Sequence, residues 1–503
     1  MTGPGAIARD YVVSTTYRKH EQSGPKWTEA RGELGAGALV QVPFRPFRPE
    51  EDYHRQDVHR KRLRPVRFLA AVPGAPSAKI GSIAEIALGL LPAAGSPPET
   101  VLATILEYVA LPLRWEPLNG ASQHRGIPSG GGLFGAELFV IGRDQGGPVC
   151  LRQVPEDGVL RHDGARPECK DLLADADLAF VIVGNLASFV NPYGEFSPCL
   201  VSLECGIMQA QLSLLCLAHG WTCEIETRHD YNAVSRALRL DHWNRVPAMI
   251  IRVSGPSAGE AIERLPRETI SSSEAVAPDD EADNYPRMRD LIETIARETP
   301  PALSPPPAAP PAVPVDSAGP QSSTDMLEHM RSRTSGYNED LNQALGRVEM
   351  ADLAVLARDI ATLHALEGRT DLAGVRLSLT LLATNYVEGV DCPFAVDLRS
   401  GNMFPAAGPS SYWNRLMFTI AVDDVAEERR SGSRAFLLNH FAAGALAQWI
   451  CLAATAHGLF ARPLRGYDEG SANQFLGLEH RAILQVACGV GRRVNPPYDL
   501  RWR

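Results

Sequence analysis

The feature that most constrains the fold is an internal repeat at one constant offset, which is the spacing between Gly206 and Gly444. Asp230 corresponds at the same offset to Asp468. Two short stretches correspond in the same way, which are Ala218-His219-Gly220 with Ala456-His457-Gly458 and Leu240-Asp241-His242 with Leu478-Glu479-His480. One offset that holds without a gap from residue 179 to residue 242 indicates a unit duplicated in tandem.

Each copy has the order of elements of an α/β unit. An apolar strand (179–184 and 417–422) is followed by a polar loop, a long helix (around 206–218 and 435–456), a turn and a last strand. The helices carry Ala, Gly, Cys and Ser between their leucines, and small residues let two helices pack closely. The sequence therefore predicts an α/β protein whose two homologous halves form an intramolecular pseudo-dimer.

The composition divides the 503 residues into four parts. These are an N-terminal extension (1–69), the first half (70–255), a proline-rich linker (256–324) and the second half (325–503). Two halves of this length match the usual size of a domain. Proline and alanine dominate residues 300–320, which is typical of an extended connector, and residues 279–298 are predicted to form one charged helix.

Charge and cysteine usage narrow the class of protein. The net charge of -10 at pH 7 argues against a nucleic-acid-binding surface. No uninterrupted apolar run is long enough to span a membrane, and the first residues lack the pattern of a secretory signal, so we expect a cytoplasmic protein without a membrane anchor. The nine cysteines contain no CxxC pair, which favours buried free thiols over a metal site.

A glycine-rich loop in the first half is a candidate ligand site. Ser129, Gly130, Gly131 and Gly132 run directly into an apolar strand. Glycines lack a Cβ atom, so their backbone N–H groups can approach a flat or anionic ligand, and Ser129 can add a hydroxyl donor. A tight turn at the start of a strand would explain the same glycines without a ligand.

Two basic segments are candidate anion sites. In the second half, Arg331 and Arg333 stand two residues apart and are followed by Ser335. Forked guanidinium donors and a hydroxyl suit a phosphate monoester, although Arg and Ser also cluster in loops without a function. The basic segment 53–67 could face an acidic peptide or a phosphate, or form a solvated charged surface.

Three motifs resemble the FMN-dependent nitroreductases, and within them the SagB-type dehydrogenases that oxidise azolines in modified peptides. Residues 128–140 (PSGGGLFGAELFV) are similar to that branch's Pro-Ser-Gly-Gly loop and the strand after it. Tyr193-Gly194, followed by Leu203-Glu204-Cys205-Gly206, resembles its Lys-Tyr-Gly and Leu-Glu-Ala-Gly motifs. Residues 463–468 (PLRGYD) resemble its Pro-x-x-Gly-Phe-Asp turn beside the flavin ring.

The two copies have kept complementary motifs. The glycine run is present in the first half, whereas the second half has Gly374-Val-Arg-Leu at the matching place. The Gly-Tyr-Asp turn is present in the second half, whereas the first has Thr227-Arg-His-Asp230. Because each flavin site of a nitroreductase dimer is built across the interface, the resemblance implies one FMN per chain and a second, degenerate site.

The resemblance also implies a role for each site residue. It places the FMN phosphate on Arg331, Arg333, Ser335 and one of Arg492 or Arg493, and the flavin ring between two groups of residues, which are Pro128, Ser129, Gly130 and Gly131 on one side and Gly466 and Tyr467 on the other. In the family a Lys-Tyr pair takes the substrate proton, but the Lys position here is Pro192. Tyr193, His124 and Tyr467 are therefore the candidate bases.

Three functions follow as alternatives. The first is an FMN-dependent azoline dehydrogenase that acts on a precursor peptide delivered by a cyclodehydratase and reoxidises with oxygen. The second is an NAD(P)H-dependent nitro or flavin reductase of the same fold. The third is a flavin-free scaffold that binds a peptide or a partner enzyme. Further pairing of chains into a homodimer stays open.

Overall fold

The computed structural model describes the greater part of both halves. The described residues are 77–80, 96–115, 123–144, 147–154, 159–240, 243–265, 267–270, 285–298, 323–336, 349–365, 369–383, 390, 392–406, 416–465, 467, 469–489 and 498–499. The predicted extension 1–69 and its basic segment 53–67 lie outside these residues, as does the proline-rich stretch 300–320.

Both halves contain helices and strands. The helices are α1 (Pro98–Ala110), α2 (Lys170–Leu173), α3 (Ala187–Tyr193), α4 (Ser197–Ala218), α5 (Tyr231–Leu238), α6 (Pro286–Arg297), α7 (Ser323–Ser332), α8 (Met350–Ala365), α9 (Asp424–Ser431), α10 (Ala435–Ala456) and α11 (Glu469–Leu476). The strands of the first half and its borders are β1 (Ser77–Ile80), β2 (Pro112–Trp115), β3 (Gln123–Arg125), β4 (Ala136–Asp144), β5 (Gly147–Val154), β6 (Val159–Ala165), β7 (Leu178–Asn185), β8 (Thr222–Glu226), β9 (Arg245–Ser254) and β10 (Arg267–Ile270). Those of the second half are β11 (Arg369–Thr370), β12 (Leu377–Leu382), β13 (Phe394–Val396), β14 (Met403–Pro405), β15 (Leu416–Val422), β16 (Phe460–Leu464), β17 (Arg481–Gly489) and β18 (Tyr498–Asp499).

The strands form one sheet for each half. The first sheet has the order β10-β1-β6-β5-β4-β7-β9-β8-β11, and the second has the order β14-β13-β12-β15-β17-β16. Among the described residues, two strands of the second half pair with strands of the first half. β11 of the second half pairs in parallel with β8 at the edge of the first sheet, and β18 pairs with β2 in a small third sheet.

The repeat is visible in the bounds of the elements. At the offset that relates Gly206 to Gly444, α4 corresponds to α10, β8 to β16 and α5 to α11, each with identical ends. Gly194 and Gly432, which precede the two long helices, have φ angles of 51° and 61°. Gly220 and Gly458, which follow them, have φ angles of 76° and 72°. Left-handed backbone favours glycine, so the duplication has kept the residues that its turns require.

The two long helices pack directly on each other. α4 and α10 are 22 residues each, and almost all of their residues are buried. Both are apolar and long enough to cross a membrane by length and composition, but their most apolar windows are 94% and 100% buried inside the protein. Their apolar character therefore matches that of central core helices.

The helix predicted at residues 279–298 is present as α6 (Pro286–Arg297), but the predicted linker is more folded than its composition indicates. Part of the predicted linker 256–324 is folded, because β10 joins the edge of the first sheet and α6 buries Met288, Leu291, Ile292 and Ile295 in the core. The apolar spacing of these four residues buries one face of α6 despite its charged composition.

Candidate functional site

The glycine loop is held by one buried carboxylate from α4. Glu204 accepts hydrogen bonds through Oε1 from the Ser129 hydroxyl and the Gly130 N–H (2.9 Å), and through Oε2 from the Gly135 N–H (2.7 Å). The Ser129 Oγ in turn accepts from the Phe134 N–H at 2.8 Å. The donors predicted for a ligand at Ser129 and Gly130 are therefore used inside the loop, and Gly131 is the exposed member of the run.

Gly131 lies beside the hydroxyl of Tyr193. A Cβ atom on Gly131 would stand 3.1 Å from the Tyr193 OH. Phe189, one turn earlier on α3, packs against Gly130 and Gly135, and its ring lies 5.7 Å from that of Tyr193. The structure thus brings together the glycine loop and the candidate base, which are separated in sequence but were both predicted for one site.

The Arg331–Ser335 segment of the second half meets the chain that leads into the glycine loop. Arg333 is 2% exposed and donates to the carbonyls of Gly126 (3.1 Å) and Arg125 (3.2 Å), just before Pro128, which is buried. Its Nη1 also donates to the Ser335 Oγ at 3.3 Å. The segment on which the sequence analysis placed the phosphate therefore contacts the residues that lead into the loop on which it placed the ring.

More guanidinium groups gather around this segment. Arg114 donates to the carbonyl of Arg331 and, at 2.7 Å, to that of Arg333. Arg331 donates to the Tyr108 hydroxyl at 2.5 Å, and Arg462 from β16 donates to the Ser335 carbonyl at 2.7 Å. We call Arg114, Arg331, Arg333 and Arg462 the arginine cluster. Concentrated positive charge in a partly buried place favours an anionic ligand.

His124 belongs to the arginine cluster rather than to the surroundings of Tyr193. Its Nδ1 lies 3.3 Å from Nη2 of Arg114, and the imidazole is 6% exposed. His124 is therefore suited to orienting the Arg114 guanidinium. Gly466, Arg492 and Arg493 lie outside the described residues. Strand β18, which follows the last two, pairs with β2 so that Asp499 lies opposite Arg114.

The turn after β16 in the second half reaches the N-terminal end of α4 in the first. The Arg465 guanidinium carbon lies 5.3 Å from the centre of the Phe196 ring and 5.7 Å from that of the Tyr467 ring, which is also buried. Arg465 forms an ion pair with Glu469, and Glu469 pairs with Arg481 at 3.1 Å. Burial by itself raises the pKa of the Glu469 carboxyl, but the two arginines lower it to about 2.

The corresponding place in the other copy is filled by protein side chains. Arg434 donates to the carbonyl of His229 at 2.9 Å, and Arg228 donates to Ser431, the counterpart of Tyr193, at 3.1 Å. Burial lowers the pKa of His229 to about 4. The cavity between these groups measures about 10 Å³, which is room for about one water molecule.

Linker helix α6 also helps to fill this place. The Glu298 carboxylate at its end accepts from the Ser433 N–H at 3.1 and 3.2 Å, and Ile295 lines the small cavity. At the other end of α6, Tyr285 packs against Gly194. A helix of mixed charge inside a proline-rich linker gave no sequence signal of this position.

Comparisons with known proteins bear on the fold of this chain. Residues 402–492 match the model of the Nitroreductase family. This segment, which contains α10 and strands β15 to β17, is therefore similar to that family. No curated protein matches the chain. The solved structure of a protein from Anabaena variabilis named as a nitroreductase shares 15% identity, with a TM-score of 0.62 over 83% of this chain and 93% of that one.

The likeness to the Anabaena protein covers 83% of this chain and shows a nitroreductase-like α+β fold, which confirms the fold that the resemblance implied. Two further structures have TM-scores of 0.26. They are a protein from Ralstonia eutropha named as a nitroreductase (18% identity, 31% of this chain and 72% of that chain) and the E. coli microcin synthetase McbBCD complex with truncated pro-MccB17 (16% identity, 30% and 62%). Scores this low do not establish a shared fold.

Sequence reasoning missed two groups that hold the candidate site together. Glu204 was noted as part of a motif, but its three bonds to the glycine loop come from residues much earlier in the chain. Arg114 of the first half joins carbonyls that belong to the second half. A carboxylate in the middle of an apolar helix is the one sequence signal that could have singled out Glu204, since a buried charge needs partners.

Proposed function

We propose that the protein is an FMN-dependent dehydrogenase that oxidises azolines to azoles, thiazole or oxazole, in a ribosomally synthesised peptide. The proposal includes the pseudo-dimer of two halves, with one flavin site between them. The observation that carries it is the contact of Arg333 of the second half with Gly126 and Arg125, directly before the glycine loop of the first half.

The described residues suit FMN by the chemistry of their donors. The arginine cluster offers charge-assisted hydrogen bonds to a phosphate monoester, and a rearrangement of Arg331 or Ser335 would add donors to it. Gly131 is exposed and has a φ angle of 63°, so its backbone can come against a flat ring where a side chain could not. FMN, when bound, supplies a hydride acceptor.

Tyr193 is the residue that we propose to take the substrate proton. Aromatisation of an azoline releases a hydride and a proton from adjacent ring positions, so the site needs a base near the hydride acceptor. The Tyr193 hydroxyl lies beside Gly131, whereas His124 lies against Arg114. Tyr467, buried next to Arg465, is the alternative base.

We further propose that the substrate is a precursor peptide presented by a cyclodehydratase, that no nucleic acid and no membrane takes part, and that the protein acts in the cytoplasm. The net charge of -10 supports the first of these exclusions. The apolar windows of α4 and α10 are buried against the rest of the protein, which supports the second. A homodimer of whole chains is compatible with the pseudo-dimer.

The decisive experiment offers the purified protein a peptide that contains azolines. Mass spectrometry is expected to show the loss of two hydrogen atoms per ring in the presence of oxygen and without nicotinamide. Oxidation of NAD(P)H with a nitro compound but no change in the peptide would identify a reductase instead. A colourless protein that takes up no added FMN would leave only the binding scaffold.

A further inference from the structure

The glycine loop has a strained backbone that its own sequence does not explain. Gly131 and Gly132 have φ angles of 63° and 69°, and Phe134, which is not a glycine, has a φ angle of 51°. A bulky residue in left-handed backbone costs free energy and persists only where its surroundings hold it there. The side chain that holds this segment comes from α4.

Glu204 bonds both ends of the strained segment with one carboxylate. Oε1 accepts from Ser129 and Gly130 before the turn, and Oε2 accepts from the Gly135 N–H after it. Phe134 itself is tied back through its N–H to the Ser129 Oγ. Glu204 is 3% exposed, and a buried carboxylate is stable only where donors of this kind surround it.

The second half supplies a natural comparison. Ala136 of β4 pairs with Gly184, and Leu377 of β12 pairs with Val422, which is the counterpart of Gly184 at the repeat offset. The turn at residues 371–374 before β12 therefore corresponds to the glycine loop before β4. Ala442 stands at the position of Glu204 in α10. All four residues of this turn are described, and none has a positive φ angle.

The carboxylate and the strained loop are thus present together in one copy and absent together in the other. The loop in turn presses on α3, because Gly130 packs on Phe189 and Gly131 lies against the Tyr193 hydroxyl. A change in the loop would alter the space between its backbone and Tyr193. Glu204 therefore acts on the site through the loop, without contacting the position where a ligand would lie.

We propose that Glu204 is a positioning residue, whose ionised carboxylate holds the Ser129–Gly135 loop in its strained form and so sets the distance between Gly131 and Tyr193. This inference rests on the proposed function for its effect on FMN, but the loop conformation can be tested without it. The informative variant is Glu204→Gln, which keeps the size of the side chain. Its amide nitrogen would turn a donor toward one of the three donors of the loop.

Hydrogen exchange measured by mass spectrometry on the whole chain tests the loop directly. In Glu204→Gln, amides of residues 129–135 are expected to exchange about 10-fold faster, while those of β4, β7 and α4 keep their wild-type rates. Gln209→Leu is the matched control, because Gln209 is fully buried on the same helix and bonds to Ser213 on that helix. Unchanged exchange in the loop, or equal acceleration in every element, would overturn the proposal.

Titration of FMN, followed by quenching of its fluorescence, gives the second readout. The dissociation constant is expected to rise about 10-fold in Glu204→Gln and to stay unchanged in Gln209→Leu. If the wild-type protein binds no FMN, the proposed function fails, and the exchange measurement still decides the role of Glu204. If Glu204→Gln does not fold, Ser129→Ala should accelerate exchange in the loop alone, and an unchanged loop there would also contradict the proposal.

Discussion

Gly206 and Gly444 lie at the crossing of the two central helices, where each stands against the backbone of the other helix. A Cβ atom on Gly206 would overlap the carbonyl of Phe441, and one on Gly444 would overlap the carbonyl of Leu203. The two helices run antiparallel here. Leu203 and Phe441 are related by the same offset as Gly206 and Gly444, so the two contacts are equivalent. The absence of two side chains thus sets how closely the two halves approach.

Gly206→Ala and Gly444→Ala are each expected to lower the free energy of unfolding by about 2 kcal/mol, because the added methyl group forces two packed helices apart. Urea denaturation followed by circular dichroism measures the loss. Gly259→Ala is the control, since a Cβ atom there would meet its nearest neighbour at an ordinary 3.7 Å. Equal stability of the wild type and Gly206→Ala would mean that the helices do not cross at this point.

Arg333→Lys is expected to weaken FMN binding about 10-fold, because lysine keeps the charge but loses the forked donors that bond the Gly126 and Arg125 carbonyls. Titration with FMN measures the dissociation constant. Arg264→Lys on the surface, where the side chain is 54% exposed, should bind FMN as the wild type does. Wild-type affinity in Arg333→Lys would contradict the phosphate site at the arginine cluster.

Tyr193→Phe is expected to retain FMN and to lower the rate of azoline oxidation about 100-fold, because the variant lacks the hydroxyl that takes the proton. Single-turnover measurements of the peptide product separate this step from binding. Tyr231→Phe is the matched control, because it removes a hydroxyl away from the candidate site. Tyr231 lines the small cavity of the other copy, and its hydroxyl donates to the Arg245 carbonyl at 3.3 Å. A wild-type rate in Tyr193→Phe would transfer the role of base to Tyr467.

The purified protein is expected to bind one FMN per chain, since the second site is occupied by side chains. Arg434 and Arg228 bridge the two halves there, and the Arg430 guanidinium lies where a side chain on Gly374 would stand. Comparison of released FMN with protein concentration measures the ratio. Two equivalents of FMN per chain would show that the second site is open.

Acid is expected to destabilise the fold through two buried histidines. Burial lowers the pKa of His229 to about 4 and that of His440 to about 3, from about 6.5 in an unfolded chain. Because the folded state resists protonation, their contribution is complete above about pH 6.5 and falls as the pH drops toward the folded values. Each costs about 2 kcal/mol of unfolding free energy at about pH 5.

Urea unfolding of the wild type and of His440→Gln at about pH 7 and about pH 5 measures how far the free energy of unfolding falls with pH. The fall should be smaller in the variant. His457 contributes to stability with the opposite dependence on pH. Its hydrogen bond to Asp359 raises its pKa, so its contribution is present below about pH 6.5 and is lost as the pH rises through the folded value. An equal slope in the wild type and His440→Gln would contradict the assignment.

The sequence by itself determined the repeat, the two central helices and the residue types of the site. Periodicity and small residues predicted α4 and α10 because both are local properties of a buried helix. Local pattern also singled out the glycine loop and the Arg331–Ser335 segment. The Ser129 hydroxyl and the Gly130 N–H were predicted to meet a ligand, because local pattern cannot show a carboxylate that folds onto them.

Only the tertiary structure decided which groups meet. Glu204 reaches the glycine loop, and Arg333 reaches the carbonyls before it, because the crossing of α4 and α10 brings together segments that lie far apart in sequence. The folded part of the linker was decided in the same way, since α6 is held by burial against both halves rather than by helix propensity. Local preferences select elements, whereas burial of their faces selects their neighbours, and a shared site depends on the neighbours.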